Sequence, residues 1–186
     1  MSKRKVGVEF IENFLVVWNT EEGSELYRNG FYGKPLGIAK PKIPQFNAPL
    51  ILDLMEGLYL LEEGLVNVYE GAKKKKIGVR KLRQMAEKLY EEFDEKYTVY
   101  RYLRDNDLVV TPGIKFGCDF AVYKYGPGME HAPYMVSVKP AESSLTATEI
   151  VKAGRLATTV RKRFIIAVPD SEHGKAKYVI FKWFKA

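Results

Sequence analysis

A tyrosine and a histidine flank a glycine-rich segment in the second half of the chain. Tyr123 ends an alternating run that predicts a half-buried strand, and His131 lies between Gly126-Pro127-Gly128 and a second strand-like run that begins at Tyr134. An imidazole gives or takes a proton near neutral pH, and a tight loop can bring a phenol close to it. The pair indicates acid–base chemistry. Packing alone also explains a strand tyrosine, and a lone histidine specifies little.

Two basic residues form a second candidate group. Arg155 and Lys162 are seven residues apart on a predicted helix, which is nearly two turns, so both point to the same face. Two cations aimed together suit a phosphate. Cations near a helix C-terminus are also favoured by the helix dipole, so a purely structural role is equally open.

The sequence offers little for a metal site. Its histidines are His131 and His173, and its single cysteine is Cys118, so no Cys/His cluster exists. Metal-dependent nucleases of the PD-(D/E)xK pattern need an acid two residues before a lysine, but Ser137-Val138-Lys139 has serine there. Asp119 alone would make a poor magnesium site. We therefore expect no metal and no cofactor.

The bulk properties favour an anionic partner. The 186 residues carry a formal net charge of +7, which suits RNA or DNA but is also common without either. No apolar run reaches the roughly 18 residues that span a membrane. The basic start of the chain leads into a mixed segment, so no secretory signal is predicted. One cysteine excludes an internal disulfide, and a cytoplasmic location is expected.

Hydrophobic periodicity predicts a mixed first half. Residues 5–18 read as strand, 21–24 as a turn and 24–28 as a short helix. Residues 29–49 are dense in glycine and proline and read as a long loop. A helix is predicted from Leu50, capped by Asn47, and another over 80–93.

The second half predicts a helix at 97–104 and then strands. The expected strands are 108–111, 115–123, 134–138, 164–168 and 178–184. Thr146 and Glu149 have the spacing of a capping box at the start of a helix. The predicted class is α+β, with a small mixed N-terminal domain over 1–90 and a C-terminal domain over 91–186.

Two longer stretches that contain these residues resemble the motifs of a known family. The stretch from Gly113 to Tyr134 resembles the active-site segment of tRNA-splicing endonucleases, which runs K-F-G-x-D-F, then V-Y, G-P and H-A. The stretch from Arg155 to Lys162 resembles the family's helix, in which a lysine follows V-R. The resemblance is strong over 97–186 and looser over 50–90. It implies a restriction-endonuclease-like C-terminal domain, with a central mixed sheet flanked by helices.

The resemblance implies a role for each catalytic residue. Tyr123 aligns with the general base that takes the ribose 2′-hydroxyl proton, and His131 aligns with the acid that protonates the leaving 5′-oxygen. Lys162 aligns with the cation that stabilises charge on phosphorus. The implied substrate is precursor tRNA with a bulge–helix–bulge splice site. The implied products, formed without metal, are a 2′,3′-cyclic phosphate and a 5′-hydroxyl.

The resemblance also implies RNA contacts. Arg155 aligns with one of two arginines that sandwich a bulge base. The second aligns with Lys182, beside Trp183, which departs from the family pattern because lysine lacks a flat face. Lys40 and Lys42 lie in a loop that resembles an insertion approaching RNA.

Asp170 and Glu172 resemble an acidic loop that binds a neighbouring subunit, although an ordinary exposed turn explains them equally well. The long insertion favours a heterotetramer with a separate structural subunit, and a homotetramer is the alternative. Three rival functions stay open: a non-catalytic structural subunit of the same enzyme, a metal-dependent restriction-type DNA nuclease, and an inactive RNA-binding protein.

Overall fold

The computed structural model describes residues 5–39, 41, 43–159, 163–170 and 172–181. Its contacts separate into two compact units, Met1–Glu91 and Glu92–Ala186. Each unit contains a mixed sheet and helices, which confirms the α+β class. Within the described ranges, none of the helices has both the length and the apolar character to cross a bilayer.

The first unit is built on one mixed sheet. Its described elements are β1 (Val6–Ile11), β2 (Phe14–Val17), α1 (Thr20–Gly30), β3 (Lys34–Pro35), β4 (Leu50–Leu52), α2 (Leu54–Glu62), β5 (Val66–Glu70), β6 (Lys75–Ile77) and α3 (Val79–Glu87). The strand order is β3-β4-β2-β1-β5-β6. β1 and β5 pair in parallel, and the other neighbours are antiparallel.

Two predictions for this unit are wrong. The segment that begins at Leu50 is strand β4, and α2 starts only after Asp53, whose Oδ1 accepts the Glu56 N–H at 2.8 Å. Asn19 caps α1, so residues 21–24 are its first turns instead of a turn between elements. In both places a side-chain cap fixes the helix start, whereas the prediction weighed apolar spacing and glycine content.

The second unit contains another mixed sheet. Its described elements are α4 (Phe93–Asp105), β7 (Val109–Pro112), a 3₁₀ turn (Ile114–Phe116), β8 (Phe120–Tyr123), β9 (Tyr134–Val138), α5 (Ala147–Thr159), β10 (Arg163–Asp170) and β11 (Lys175–Phe181). The strand order is β11-β10-β9-β8-β7, with β9 and β10 parallel. The strand predicted over 115–123 is wrong in its first half, because the 3₁₀ turn ends at Gly117 with φ +66°.

The two faces of this sheet pack against different helices. Met135 pairs with Ala121 and with Phe164, and all three belong to a buried cluster that includes Ala153 of α5. Strand residues alternate between faces. Val136, Ile165 and Leu103 of α4 line a cavity on the opposite face. The predicted arrangement of a central sheet flanked by helices is confirmed.

Candidate active site

Tyr123 and His131 lie near the two ends of the loop that joins β8 to β9. Tyr123 is the last residue of β8 and is half-buried. Val122 pairs with Tyr134, the first residue of β9, so the chain between Tyr123 and Tyr134 forms the loop of an antiparallel hairpin. His131 lies in the second half of that loop and is exposed. The predicted hairpin is therefore present, and both candidate residues belong to its loop end.

The loop is closed by the residue beside His131. Glu130 Oε1 accepts the backbone N–H of Lys124 at 2.5 Å and that of Tyr125 at 2.6 Å. The Glu130 N–H donates to the Gly126 carbonyl at 3.3 Å, and Gly126 has a φ of +116°, which glycine adopts without strain. Glu130 was not predicted from the sequence, because an acid next to a histidine forms no pattern of its own.

A buried apolar cluster connects this hairpin with α5. Its members are Cys118, Ala121, Ala132, Met135, Ala153, Phe164 and Ile166, and Tyr123 is among the half-buried side chains packed against it. Ala132, the residue after His131, is only 4% exposed, so the chain at His131 is anchored by a buried neighbour. Ala153 belongs to α5, and Arg155 follows it by two residues and is exposed. The hairpin and the Arg155 helix therefore share one core.

Lys162 lies outside the described residues. Its chain neighbour Arg163 begins β10, and the Arg163 N–H donates to the Pro133 carbonyl at 2.9 Å. Pro133 is two residues after His131. The guanidinium of Arg163 also lies over the Tyr134 ring, 5.8 Å from its centroid. Arg163, the described residue next to Lys162, is thus hydrogen-bonded to the loop that contains His131.

An ion pair ties the start of α5 to the end of β9. Lys139 Nζ lies 2.6 Å from Glu149 Oε1. This contact, together with hydrogen bonds from Thr146, lowers the pKa of the Glu149 carboxyl to about 2. Thr146 Oγ1 accepts the Glu149 N–H at 3.2 Å, and the Thr146 N–H donates to Glu149 Oε2 at 2.9 Å, which confirms the predicted capping box. The helix that carries Arg155 therefore starts from a fixed point on the sheet.

A polar cavity of about 380 Å³ lies beside this ion pair. Asp119 Oδ2 accepts the Val138 N–H at 2.8 Å, and its Oδ1 lies 3.5 Å from Lys96 Nζ. The carboxylate is thus engaged by an amide and an ammonium, and Lys139, also in the cavity wall, is paired with Glu149. In the part of the chain that the structure describes, no group of three or more His, Cys, Asp or Glu side chains could hold a metal ion.

The remaining predicted residues lie away from the β8–β9 loop in the sequence or outside the described residues. Asp170 ends β10, and its carboxylate contacts the ring of His173, with 3.0 Å between Oδ1 and Nδ1. This contact lowers the pKa of the Asp170 carboxyl. Glu172 is exposed in the turn that follows. The other predicted RNA contacts, Lys40, Lys42, Lys182 and Trp183, fall outside the described residues.

Comparison with known families identifies both units. Residues 93–178 match the family described as tRNA intron endonuclease, catalytic C-terminal domain, and residues 8–83 match tRNA intron endonuclease, N-terminal domain. The chain belongs to the tRNA intron endonuclease family. Tyr123, His131 and Lys162 all fall inside the match to the catalytic domain, whereas Lys182 and Trp183 follow it.

Archaeal relatives of the tRNA intron endonuclease family match nearly the whole chain. A protein of Hyperthermus butylicus named tRNA-splicing endonuclease is 46% identical over 170 residues, covering 91% of this chain and 93% of the relative. One of the same name from Sulfurisphaera tokodaii is 38% identical over 178 residues, covering 95% and 98%. Another, from Saccharolobus islandicus, is 39% identical over 172 residues, covering 92% and 94%. The resemblance found in the sequence is therefore confirmed.

Proposed function

We propose that this chain is the catalytic subunit of a cytoplasmic tRNA-splicing endonuclease that cuts precursor tRNA at bulge–helix–bulge splice sites. The proposal rests on the β8–β9 hairpin, in which a phenol and an imidazole lie at the two ends of one closed loop. That hairpin falls within the match to the family's catalytic domain. Relatives that match over nine-tenths of the chain and are named tRNA-splicing endonuclease support the same conclusion.

The proposed reaction uses the RNA's own hydroxyl as nucleophile. Tyr123, acting as the phenolate, takes the proton of the ribose 2′-hydroxyl, the 2′-oxygen bonds to the adjacent phosphorus, and the bond from phosphorus to the 5′-oxygen breaks. His131 gives a proton to that departing oxygen. One fragment ends in a 2′,3′-cyclic phosphate and the other begins with a 5′-hydroxyl. Because the RNA supplies the nucleophile, the proposed reaction requires no metal-bound water. Proton transfer by a placed side chain typically accelerates such a step by about 10²- to 10⁴-fold.

Two cations of the α5 region complete the proposed site. The ammonium of Lys162 stabilises the negative charge that develops on the phosphoryl oxygens, where a fixed cation has its largest effect. Arg155 presents a planar guanidinium to a bulge nucleotide, which it can stack on while binding a phosphate. The anchoring of α5 through Ala153 supports a fixed position for Arg155, and Arg163, the residue after Lys162, is held by its hydrogen bond to Pro133.

Further contacts extend the proposed RNA surface. Lys182 and Trp183 supply a cation and an aromatic ring at the end of the chain, and Lys40 and Lys42 supply charge from the N-terminal unit. The net charge of +7 favours such contacts, because each neutralised phosphate releases counterions. Unpaired bulge nucleotides suit recognition by stacking, since their bases are free of a partner strand.

The proposed assembly is a tetramer. Asp170 and Glu172 form the acidic turn that binds a basic pocket of a neighbouring subunit. The long segment over 29–49 favours a heterotetramer with a separate structural subunit. In a homotetramer the same turn would bind another copy of this chain.

A single cleavage experiment tests the proposal. The purified chain, alone and with candidate partner subunits, is incubated with an intron-bearing bulge–helix–bulge RNA in EDTA, and the fragment ends are identified by mass spectrometry. We expect a cyclic phosphate and a 5′-hydroxyl. Activity that disappears in EDTA and returns with magnesium would support a metal-dependent nuclease. Unchanged cleavage by a complex containing His131→Ala would instead make this chain the structural subunit.

A further inference from the structure

The Glu130 side chain links the two ends of the β8–β9 loop by hydrogen bonds. Its Oε1 accepts two consecutive backbone N–H groups, those of Lys124 and Tyr125, at 2.5 and 2.6 Å. Lys124 directly follows Tyr123, and Glu130 directly precedes His131. The proposed base and the proposed acid are therefore each one peptide unit away from this single hydrogen-bonded contact.

Among the residues that the structure describes, the rest of the loop has only an isolated β-bridge between Pro127 and Glu130 and no strand ladder. The loop backbone turns through Gly126 and Gly128, which have φ values of +116° and +89°. The Met129 and Glu130 N–H groups donate to the Gly126 carbonyl, each at a long 3.3 Å. Glycine leaves the backbone free to adopt many conformations. Short, charge-assisted bonds from one carboxylate are thus the strongest recorded restraint among the described contacts of the loop.

We propose that Glu130 is a positioning residue, which sets the separation of Tyr123 and His131 by fixing the loop between them. The inference rests on the proposed function, because it assigns those two side chains to the base and the acid. Glu130 acts through the backbone and does not itself touch the RNA. A displacement of about 1 Å in a catalytic group can cost about 10²-fold in rate, which sets the scale of the expected effect.

Two substitutions at position 130 distinguish the contribution of the hydrogen bonds from that of the negative charge. Both N–H groups reach the same oxygen, so the amide oxygen of glutamine can accept both bonds without a negative charge. Alanine removes bonds and charge together. Glu142→Ala removes one negative charge from an exposed turn of the same unit and is the matched control.

The test compares Glu130→Ala, Glu130→Gln and Glu142→Ala in the assembly that cleaves. Three quantities are measured for each: the single-turnover rate constant at saturating RNA, the Kd for the RNA, and the thermal unfolding midpoint. For Glu130→Ala we expect a rate about 10- to 100-fold lower, with Kd within about threefold of the parent and an unchanged midpoint. Glu130→Gln and Glu142→Ala should cleave within about threefold of the parent rate.

Each alternative result has a distinct meaning. If Glu130→Ala cleaves at the parent rate, the positioning role is wrong while the proposed function stands. A loss of rate as large in Glu130→Gln as in Glu130→Ala would overturn it as well, since charge and not hydrogen bonding would then matter. A changed Kd would make Glu130 an RNA-binding residue, and a lowered midpoint in both Glu130 variants would make it a folding residue. Failure of the parent protein to cleave would refute the proposed function itself.

Discussion

Removal of one hydroxyl group from the end of β8 should nearly abolish cleavage. The substitution Tyr123→Phe deletes the phenolic oxygen and leaves the ring. That ring packs against the apolar cluster beneath the hairpin, so phenylalanine preserves the contact. The variant should therefore fold normally and lose only the group proposed to take the 2′-hydroxyl proton.

Two effects of Tyr123→Phe can be estimated, the loss of cleavage rate and the change in the free energy of unfolding. General base catalysis contributes about 10²- to 10⁴-fold, which corresponds to about 2.7 to 5.5 kcal/mol of transition-state stabilisation. The structure records no hydrogen bond from the Tyr123 hydroxyl to another described residue, so its loss should change the free energy of unfolding by about 1 kcal/mol or less. A large loss of rate with a small change in stability is the expected signature.

The matched control lies two residues away. Tyr125→Phe makes the same chemical change in the same loop, on a side chain that is 67% exposed. The assay is single-turnover cleavage of end-labelled precursor tRNA in EDTA, with calorimetry on each variant. Tyr125→Phe should cleave at the parent rate.

The reasoning fails if Tyr123→Phe cleaves within about threefold of the parent, because a base worth even 10²-fold would then be absent. It also fails if both variants lose rate equally, since the effect would then belong to the loop and not to the base at position 123.

Three further predictions concern the acid, the ion pair and the core. His131→Ala should lose about 10²- to 10⁴-fold in rate on ordinary RNA and recover most of it on RNA whose scissile 5′-oxygen is replaced by sulfur, because a thiolate leaves without a proton; equal losses on both substrates would refute the role of acid. The pKa of Glu149 is lowered to about 2, so its pairing with Lys139 stabilises the fold above about pH 4.5 and is lost as pH falls towards 2. The thermal unfolding midpoint of Lys139→Met should therefore fall less steeply than that of the parent over this pH range. An unaltered pH profile would contradict this. Met135→Ala, at a fully buried site, should cost about 2 to 5 kcal/mol in the free energy of unfolding, whereas Met129→Ala, at a side chain 72% exposed, should leave calorimetric stability unchanged.

Local signals in the sequence predicted the elements that carry the candidate site. Thr146 and Glu149 have capping-box spacing, and the bonds of that box are present at the start of α5. The strand-like run predicted at 134–138, after the Gly126-Pro127-Gly128 turn signal, is also present as β9. These features depend on residues a few positions apart, so a linear pattern is sufficient to reveal them.

One of the errors arose where distant residues decide the structure. Leu50 to Leu52 has apolar residues compatible with a helix, but these residues pair with β2 and become strand β4. Sheet pairing with a segment more than thirty residues away outweighed the local spacing there. Lys139 was considered only as part of an incomplete nuclease motif, whereas in the fold it pairs with Glu149. Glu130 was missed because its partners are backbone N–H groups, which no residue type reports.

The two loops that flank β9 differ in how well they tolerate inserted residues. Between β8 and β9, one carboxylate must reach back to the N–H groups of Lys124 and Tyr125, so an inserted or deleted residue would break that match. Between β9 and α5, residues 141–145 are all exposed. Exposed loop segments tolerate added sequence well. A fluorescent peptide placed within 141–145 could therefore report on subunit association while the cleavage chemistry stays intact.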